Sequence, residues 1–358
     1  MNGLCNLPKN WVNCYVLVQK KRHTLKVVLA NMLFINTIVL PWFMEARAWG
    51  FFAHKDINSS AIYLLPPPLI NYFIKHQGKI VELSVSADQR RRLDPREAPR
   101  HFMDMDAWSD SDRLALRNMS WSEITNCYDM SNLEEHGVLP WNLIAVYRRL
   151  IYAFENHKHY DIVKLAADLG HYASDACVPL HLCSNYNGQK TGQHGIHALF
   201  ESRIPEYLQY EKRCVWRRSQ WIPDINQRIW SVIDSSFAFV KLVLSCEFEA
   251  RKLVPNHLQY APILRNKSLT KQESIQFVRA YYDCLGGLPF LLWARSIEFV
   301  ADLWFSAWVN AGQPNLMDSY KIKNRTETYN EDPYKELVFQ EFSSDSSVQG
   351  ERFIQCDP

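Results

Sequence analysis

The stretch that decides the fold and chemistry of this chain is residues 169–201, LGHYASDACVPLHLCSNYNGQKTGQHGIHALFE. From residue 160 to residue 177, apolar side chains recur every three or four positions, which predicts a helix that ends before Pro179. His171 and Asp175 are four residues apart on that helix, so both side chains project from one face, one turn apart. The stretch therefore combines a core helix with polar side chains on one of its faces.

Three further side chains extend this polar set. His181 follows directly on the exit from the predicted helix, and His197 and Glu201 form a second pair four residues apart. Imidazole nitrogens and carboxylate oxygens are ligands that Zn²⁺ takes at about 2.0–2.2 Å. Two helices that each fix two ligands can close a metal site in the core of a bundle. The five residues together therefore predict a zinc site. Either His/carboxylate pair taken alone could instead be two ordinary polar residues near the end of a helix.

The rest of the chain is also helical in pattern, and strand-like alternation is rare. In the apolar run 285–309, charges at Arg295, Glu298 and Asp302 favour a pair of core helices over a membrane span. Helical periodicity is clearest over residues 141–157, 160–177, 222–250 and 271–311.

We expect an all-α fold: a single multi-helix domain over residues 49–313, with the metal site in a cleft between helices. Residues 314–358 are polar and predict a loosely ordered tail. Four aromatic residues could line such a cleft, although core packing is the expectation for each; they are Trp108, Trp121, Trp141 and Tyr186.

The first 48 residues predict a secretory signal peptide. They contain six Lys or Arg and one Glu, and a basic cluster at 20–26 precedes an uncharged run of 17 residues, 27–43. Ala46-Arg47-Ala48 supplies the small-x-small cleavage pattern. We expect cleavage after Ala48 and export to a secreted or periplasmic location; an uncleaved N-terminal membrane anchor is the alternative.

Charge and cysteine content limit the function classes. The whole chain has a formal charge of +2, so the part after residue 48 carries −3 and lacks the broad basic surface of a strong nucleic-acid binder. Seven cysteines follow residue 48, and their pairing cannot be deduced. We expect Cys177 and Cys183 to form a disulfide or remain inert thiols. Fingerprints of P-loop, dinucleotide, HExxH protease and GxSxG hydrolase sites are absent.

The ordered ligand set resembles the superfamily of zinc-dependent phospholipases C and fungal single-strand-specific nucleases. That family places H-x-x-x-D-x-x-x-x-x-H on one helix and its exit, followed by H-x-x-x-[ED]. The corresponding residues here are His171, Asp175, His181, His197 and Glu201.

The family's N-terminal ligands also have counterparts. Its mature chains begin with a Trp whose amine and carbonyl bind zinc; here Trp49 follows the predicted cleavage site, and His54 lies five residues on. The family's Asp and later His match Asp88 and His101, which are 13 residues apart. Three nearby carboxylates compete for the role of Asp88 but fit the spacing less well: Asp94, Asp104 and Asp106.

The resemblance implies three zinc ions. One would be held by Asp88, His101, His171 and Asp175, a second by His181, His197 and Glu201, and a third by Trp49, His54 and a bridging Asp175. Asp88 would also orient or deprotonate water. The basic run Arg90, Arg91 and Arg92 could contact phosphate, but a solvated run is the expectation for most of it.

Closely spaced zinc ions suit the hydrolysis of phosphate esters. The resemblance therefore implies a secreted phosphodiesterase that acts on a phospholipid head group or on single-stranded nucleic acid, with possible contact to a membrane surface and no inferred protein partner. The alternative from another class is a non-catalytic zinc-binding, membrane-anchored interaction protein.

Overall fold

The computed structural model describes residues 50–208, 217–265 and 268–316. The predicted signal peptide or anchor over residues 1–48, Trp49, and the tail from residue 317 onward lie outside the described residues. All described residues belong to one compact unit, Ala46–Pro358.

The described chain is mostly helical, in agreement with the predicted all-α class. The longer helices are α1 (Phe51–Ile62), α2 (Leu69–Leu83), α7 (Leu139–Glu155), α8 (His159–Asp175), α11 (Ile225–Phe237), α12 (Val240–Leu253), α13 (Ile275–Leu285) and α14 (Leu288–Asn310). The shorter helices are α3 (Ser86–Arg90), α4 (Asp110–Leu116), α5 (Trp121–Cys127), α6 (Met130–His136), α9 (Ile196–Ala198) and α10 (Ile204–Leu208).

Helix α8 lies at the centre of the molecule. It packs against α1, α2, α7 and α14, and every residue from Leu165 to Asp175 is buried. This buried stretch includes Asp168, His171 and Asp175, so the helix also buries polar side chains that need partners. The buried Trp304 indole of α14 donates a hydrogen bond of 2.9 Å to the Ala166 carbonyl of α8. The central helix is therefore fixed from several sides, and its last turn carries His171 and Asp175.

The predicted core helix pair over residues 271–311 is present from Ile275 onward. Gly286 and Gly287 both adopt positive φ, at 59° and 84°, which glycine tolerates at no steric cost. The chain bends by 75° there, between α13 and α14.

Two details of the helix prediction are wrong. The predicted helix over 222–250 is divided at residues 238–239 into α11 and α12. Residues 271–273 are not helical, because they belong to an antiparallel hairpin of β1 (Tyr260–Arg265) and β2 (Ser268–Glu273). Both strands of such a pair are edges, so Pro262 is tolerated there.

Two parts of the described chain have the length and hydropathy of a membrane span. They are the stretch Ile225–Leu253 and the bent pair α13–α14. Core helices of soluble proteins satisfy the same criteria. A disulfide between Cys246 and Cys284 links α12 to α13.

Candidate metal centre

Asp175 lies at the centre of the candidate site, fully buried in the last turn of α8. One of its oxygens, Oδ1, lies 3.5 Å from His54 Nε2. The other, Oδ2, lies 3.1 Å from His101 Nδ1 and 3.5 Å from His171 Nε2. The two oxygens of one carboxylate thus face different imidazoles, which is the arrangement that a carboxylate bridging two cations requires.

A second group forms around Glu201. Its two oxygens each lie 3.0 Å from an imidazole, Oε1 from His181 Nε2 and Oε2 from His197 Nε2. His181 stands in a 3₁₀ turn, Pro179–Leu182, directly after α8. His197 is on α9, and Glu201 is in a π-helical turn, Leu199–Arg203, that continues it. Such π turns are frequent at functional sites.

The described residues contain three buried groups of His, Asp and Glu that could hold a metal ion. Within each group the ligand atoms lie within 4.8 Å of one another. The groups are His54, His171 and Asp175; Asp88, His101 and His171; and His181, His197 and Glu201. Eight of the nine residues predicted to bind metal are therefore placed in these groups; the ninth, Trp49, is outside the described residues.

Four of these histidines have their Nδ1 atom bound to a neighbouring oxygen. Three of these oxygens are backbone carbonyls, which can only accept, and the Ser174 hydroxyl beside His54 already donates to the His171 carbonyl at 2.7 Å. Nδ1 therefore carries the proton and Nε2 presents its lone pair, as metal-binding histidines usually do. The contacts are His54 to Ser174 Oγ at 2.9 Å, His171 to Ser84 O at 2.8 Å, His181 to His101 O at 2.6 Å and His197 to Tyr186 O at 3.1 Å. His101 is turned the other way, with Nδ1 towards Asp175.

Several atoms that point into these groups are buried and lack a hydrogen bond. Buried polar atoms normally have a partner, because leaving one unsatisfied costs about 1–3 kcal/mol. The atoms concerned are His54 Nε2, His181 Nε2, Asp175 Oδ1 and both carboxylate oxygens of Glu201. Nitrogen and oxygen donors without sulfur are a set that Zn²⁺ accepts, so the residues fit a cation.

Burial keeps three of the histidines neutral. Burial lowers the pKa of His171 to about 3. Burial, with His171 as the next contributor, also lowers the pKa of His54 and of His101 well below the ordinary value. Only neutral imidazole binds a metal, so these side chains are already in the ligand form at neutral pH.

The two central carboxylates behave differently. Burial, followed by repulsion from Asp88 and Glu201, raises the pKa of Asp175 well above its ordinary value. Burial would also raise the pKa of Glu201, but His197 and His181 outweigh it and lower the pKa. A cation beside Asp175 would reverse the direction of its shift, because it stabilises the carboxylate.

Asp88 adjoins the same site from α3, where it is buried. Of the three consecutive arginines, Arg91 forms an ion pair with it, with Nη2 3.8 Å from Asp88 Oδ1. Arg92 is exposed, while Arg90 is held in a separate network. The expectation of a solvated run is therefore wrong for Arg90 and Arg91, which form ion pairs with buried carboxylates.

Sequence reasoning did not find the network behind His101. Glu97 Oε1 lies 3.9 Å from His101 Nε2 and accepts hydrogen bonds from Tyr172 Oη and from Arg90 Nη2, the latter at 3.1 Å. Arg90 also donates to Asp168 at 3.1 Å. This network lies behind the His101 ring, whose Nε2 makes no direct hydrogen bond to it, while Nδ1 faces Asp175 on the other side. The four-residue spacing of Glu97 and His101 was the available signal.

Two glycines allow the elements of the site to meet. The Gly50 amide donates to the Glu201 carbonyl at 2.9 Å, and a Cβ at Gly50 would overlap Ser202. On α8, a Cβ at Gly170 would overlap the Asn58 side chain of α1. The start of α1 is thus held against the Glu201 segment, and its middle against α8.

The carboxylates that compete with Asp88 are used elsewhere. Each has a partner away from the three groups: Asp94 accepts from Arg96 N at 3.0 Å, Asp104 lies 3.8 Å from His136 Nδ1, and Asp106 accepts from Ser184 N at 2.8 Å.

The cysteines near the site are not suited to bind metal. Cys177 and Cys183 are free and buried. Burial raises the pKa of the Cys177 thiol to about 11 and that of the Cys183 thiol to about 12. Both are therefore protonated at neutral pH, which agrees with the expectation of inert thiols.

The four aromatic residues divide into two kinds. Core packing is confirmed for Trp108, Trp121 and Trp141, which are all buried. It is wrong for Tyr186, which is 46% exposed and has its ring edge-on to His197 at 5.9 Å between centroids. Tyr186 lies on the loop that connects His181 to His197.

Comparison with models of known protein families gives no match for this sequence. A search of curated protein sequences likewise gives no significant match.

Proposed function

We propose that the chain is a zinc-dependent hydrolase of phosphate ester bonds, a phosphodiesterase of phospholipase C or single-strand nuclease type. Asp175 carries the proposal, because its two oxygens face different imidazoles within a buried set of nitrogen and oxygen donors. The residues that would hold three ions are Asp88, His101, His171 and Asp175; His181, His197 and Glu201; and Trp49, His54 and Asp175.

The protein groups around the centre have separate tasks. Zn²⁺ bound there would supply Lewis-acid polarisation of a phosphate and a lowered pKa for water. Asp88, at the edge of the groups, can orient a water molecule and accept its proton. Arg91, 3.8 Å from Asp88, can donate to phosphate oxygens through its planar guanidinium. The buried histidines and Glu201 exclude bulk water from the inner side of the centre.

Two substrate classes remain in this proposal, phospholipids and single-stranded nucleic acids. The exposed Tyr186 ring beside His197 supplies an aromatic surface that can receive a base or an apolar part of a lipid. The formal charge of −3 after residue 48 gives no general attraction for a polyanion.

Export is part of the proposal. The Cys246–Cys284 disulfide supports it, because structural disulfides persist mainly outside the reducing cytosol. Export with cleavage after Ala48 would also free the Trp49 amine, whereas an anchor would leave it in a peptide bond.

One observation favours the alternative of a non-catalytic zinc protein. All eight described ligand residues are at most 4% exposed, and structural zinc sites are typically closed, whereas catalytic sites keep an open position. The proposed hydrolase and the non-catalytic zinc protein differ in whether the zinc-loaded protein turns over a substrate.

An activity panel on exported, zinc-loaded protein tests the proposal. The substrates are bis(p-nitrophenyl) phosphate, single-stranded DNA and phosphatidylcholine. Removal of zinc by a chelator should abolish hydrolysis, and Asp88→Asn should reduce turnover by about 10²-fold or more. Asp94→Asn is the matched control, since Asp94 caps a nearby turn and faces solvent. If zinc-loaded protein hydrolyses none of the three, the phosphodiesterase proposal fails and the non-catalytic alternative stands.

A further inference from the structure

The β1–β2 hairpin carries two leucines that nothing in the described fold covers. Leu264 and Leu269 face each other directly across the two strands and are 73% and 74% exposed. A single exposed leucine is ordinary on a protein surface. A two-stranded hairpin is only marginally stable in water by itself. At this exposure the two leucines bury little surface against the rest of the described domain.

The leucine pair is part of one exposed face of the hairpin. Side chains alternate across a strand, so Tyr260, Pro262 and Lys271 share the face of Leu264 and Leu269. The Lys271 ammonium lies 3.8 Å from the centre of the Tyr260 ring. The face thus combines an apolar end with an aromatic ring and a cation nearer its root.

Charge in this hairpin is mainly positive. Its sequence contains three cationic side chains, Arg265, Lys267 and Lys271, against one carboxylate, Glu273, which lies at the root of the hairpin opposite Tyr260. The chain after residue 48 is negative overall, at −3, so the hairpin is a local exception. Apolar side chains flanked by Lys and Arg favour the interface of a membrane that contains anionic lipids.

The root of the hairpin adjoins the candidate metal centre. A Cβ at Gly195 would lie 3.8 Å from Glu273 Oε1, and the Gln272 side-chain oxygen accepts from the Arg203 guanidinium. Gly195 and Arg203 flank the segment that carries His197 and Glu201. The root of the hairpin, at Gln272 and Glu273, is therefore next to the ligand segment. The leucine pair lies farther along the strands, with Leu269 four residues before Glu273.

We propose that the hairpin Tyr260–Glu273 docks the protein on an anionic phospholipid surface, with Leu264 and Leu269 inserted among the lipids. If the proposed function holds, docking beside the metal centre makes phospholipid the substrate class, and this point rests on the proposed function. The docking itself requires no catalysis.

Sedimentation with vesicles tests the docking. The mature chain is mixed with vesicles of phosphatidylcholine alone or with about 30% phosphatidylglycerol, a mixture whose surface attracts basic segments. Leu264→Ser/Leu269→Ser should reduce partitioning to the anionic vesicles by about 10-fold or more, because two apolar contacts are lost. The control Leu114→Ser/Leu291→Ser changes two other exposed leucines and should bind as the unchanged protein does.

A second variant tests the role of charge. Arg265→Glu/Lys267→Glu should abolish the preference for anionic vesicles, because it replaces two cations of the hairpin by carboxylates.

Three outcomes would overturn the docking proposal. The first is that the unchanged protein binds neither kind of vesicle, and the second is that the leucine variant binds as well as the control variant. The third is that the leucine substitutions convert a dimer to a monomer, which would assign this face to a second copy of the chain.

Hydrolysis separates this proposal from the proposed function. Turnover of bis(p-nitrophenyl) phosphate should be unchanged in the leucine variant, while turnover of vesicle phospholipid should fall together with binding. Vesicle binding without hydrolysis of either substrate would refute the phosphodiesterase and leave the docking intact. Equal phospholipid turnover in the variant and the unchanged protein would refute the assignment of phospholipid as the docked substrate.

Discussion

Asp175 is the residue on which the candidate centre depends most. Asp175→Asn is nearly isosteric, so the fold should survive, but the amide has no charge and its nitrogen cannot donate to a metal. Two of the three proposed zinc sites should weaken together, since Asp175 faces both His54 and His101. His197→Gln should weaken mainly one group. We expect about two zinc ions lost in the first variant and one in the second, measured by elemental analysis, with turnover of the first reduced by orders of magnitude. Zinc content and activity retained in Asp175→Asn would contradict the bridging role.

Glu97 is expected to act on metal affinity through His101. Partners that orient a ligating histidine typically contribute 10–100-fold to metal affinity, so Glu97→Gln should weaken zinc binding by at least ~10-fold in a chelator competition. The variant keeps the size of the side chain but loses the charge that faces His101, Arg90 and Tyr172. Asp94→Asn, in the same part of the chain, should leave the affinity unchanged. Equal affinities for the two variants would show that Glu97 supports the fold only.

The ligands were predictable at the residue scale because their spacing is local. His171 and Asp175 lie one helical turn apart, and a helix fixes both on one face. The carbonyl oxygens of Ser84 and Tyr186 were not predicted, because backbone oxygens carry no sequence signal. Glu97 was missed although it lies only four residues before His101, because one such pair is common at ordinary polar positions.

At the scale of elements, the contact between α1 and α8 controls the position of His54. A Cβ at Gly170 would overlap Asn58, whose amide donates to the His54 carbonyl at 2.9 Å. Gly170→Ala should therefore destabilise the protein by about 1–3 kcal/mol and lower its zinc content. Gly78→Ala on α2 is the matched control, since nothing lies within 4 Å of a Cβ there; it should stabilise by up to ~1 kcal/mol. Chemical denaturation of both variants measures the difference, and equal stability would show that α1 and α8 can separate at no cost.

The elements themselves were predictable to different degrees. The helix from residue 160 to residue 177 was close to the observed α8 (His159–Asp175), because a buried helix has strong apolar periodicity and Pro179 ends it. The β1–β2 hairpin was missed, because its strands pair with each other and little else, so no alternation of core and surface marks them. Helix breaks such as residues 238–239 depend on tertiary packing that a local pattern does not contain.

At the scale of the whole molecule, the sequence predicted the class and the convergence of distant ligands. His54, Asp88, His101 and the 171–201 segment are far apart in the chain and meet in the structure around α8. That convergence followed from a family pattern rather than from periodicity, which cannot place one helix against another. The predicted cleft between helices stays a prediction; the described ligand side chains themselves are buried.

The central claim is that this chain holds a cluster of zinc ions bridged by Asp175. An anomalous difference map collected at the zinc absorption edge from crystals of the exported protein tests it most directly. We predict three peaks: one among Asp88, His101, His171 and Asp175, one among His181, His197 and Glu201, and one beside His54 and Asp175. A map without a peak at Asp175, from protein purified and crystallised with zinc present, would contradict the account.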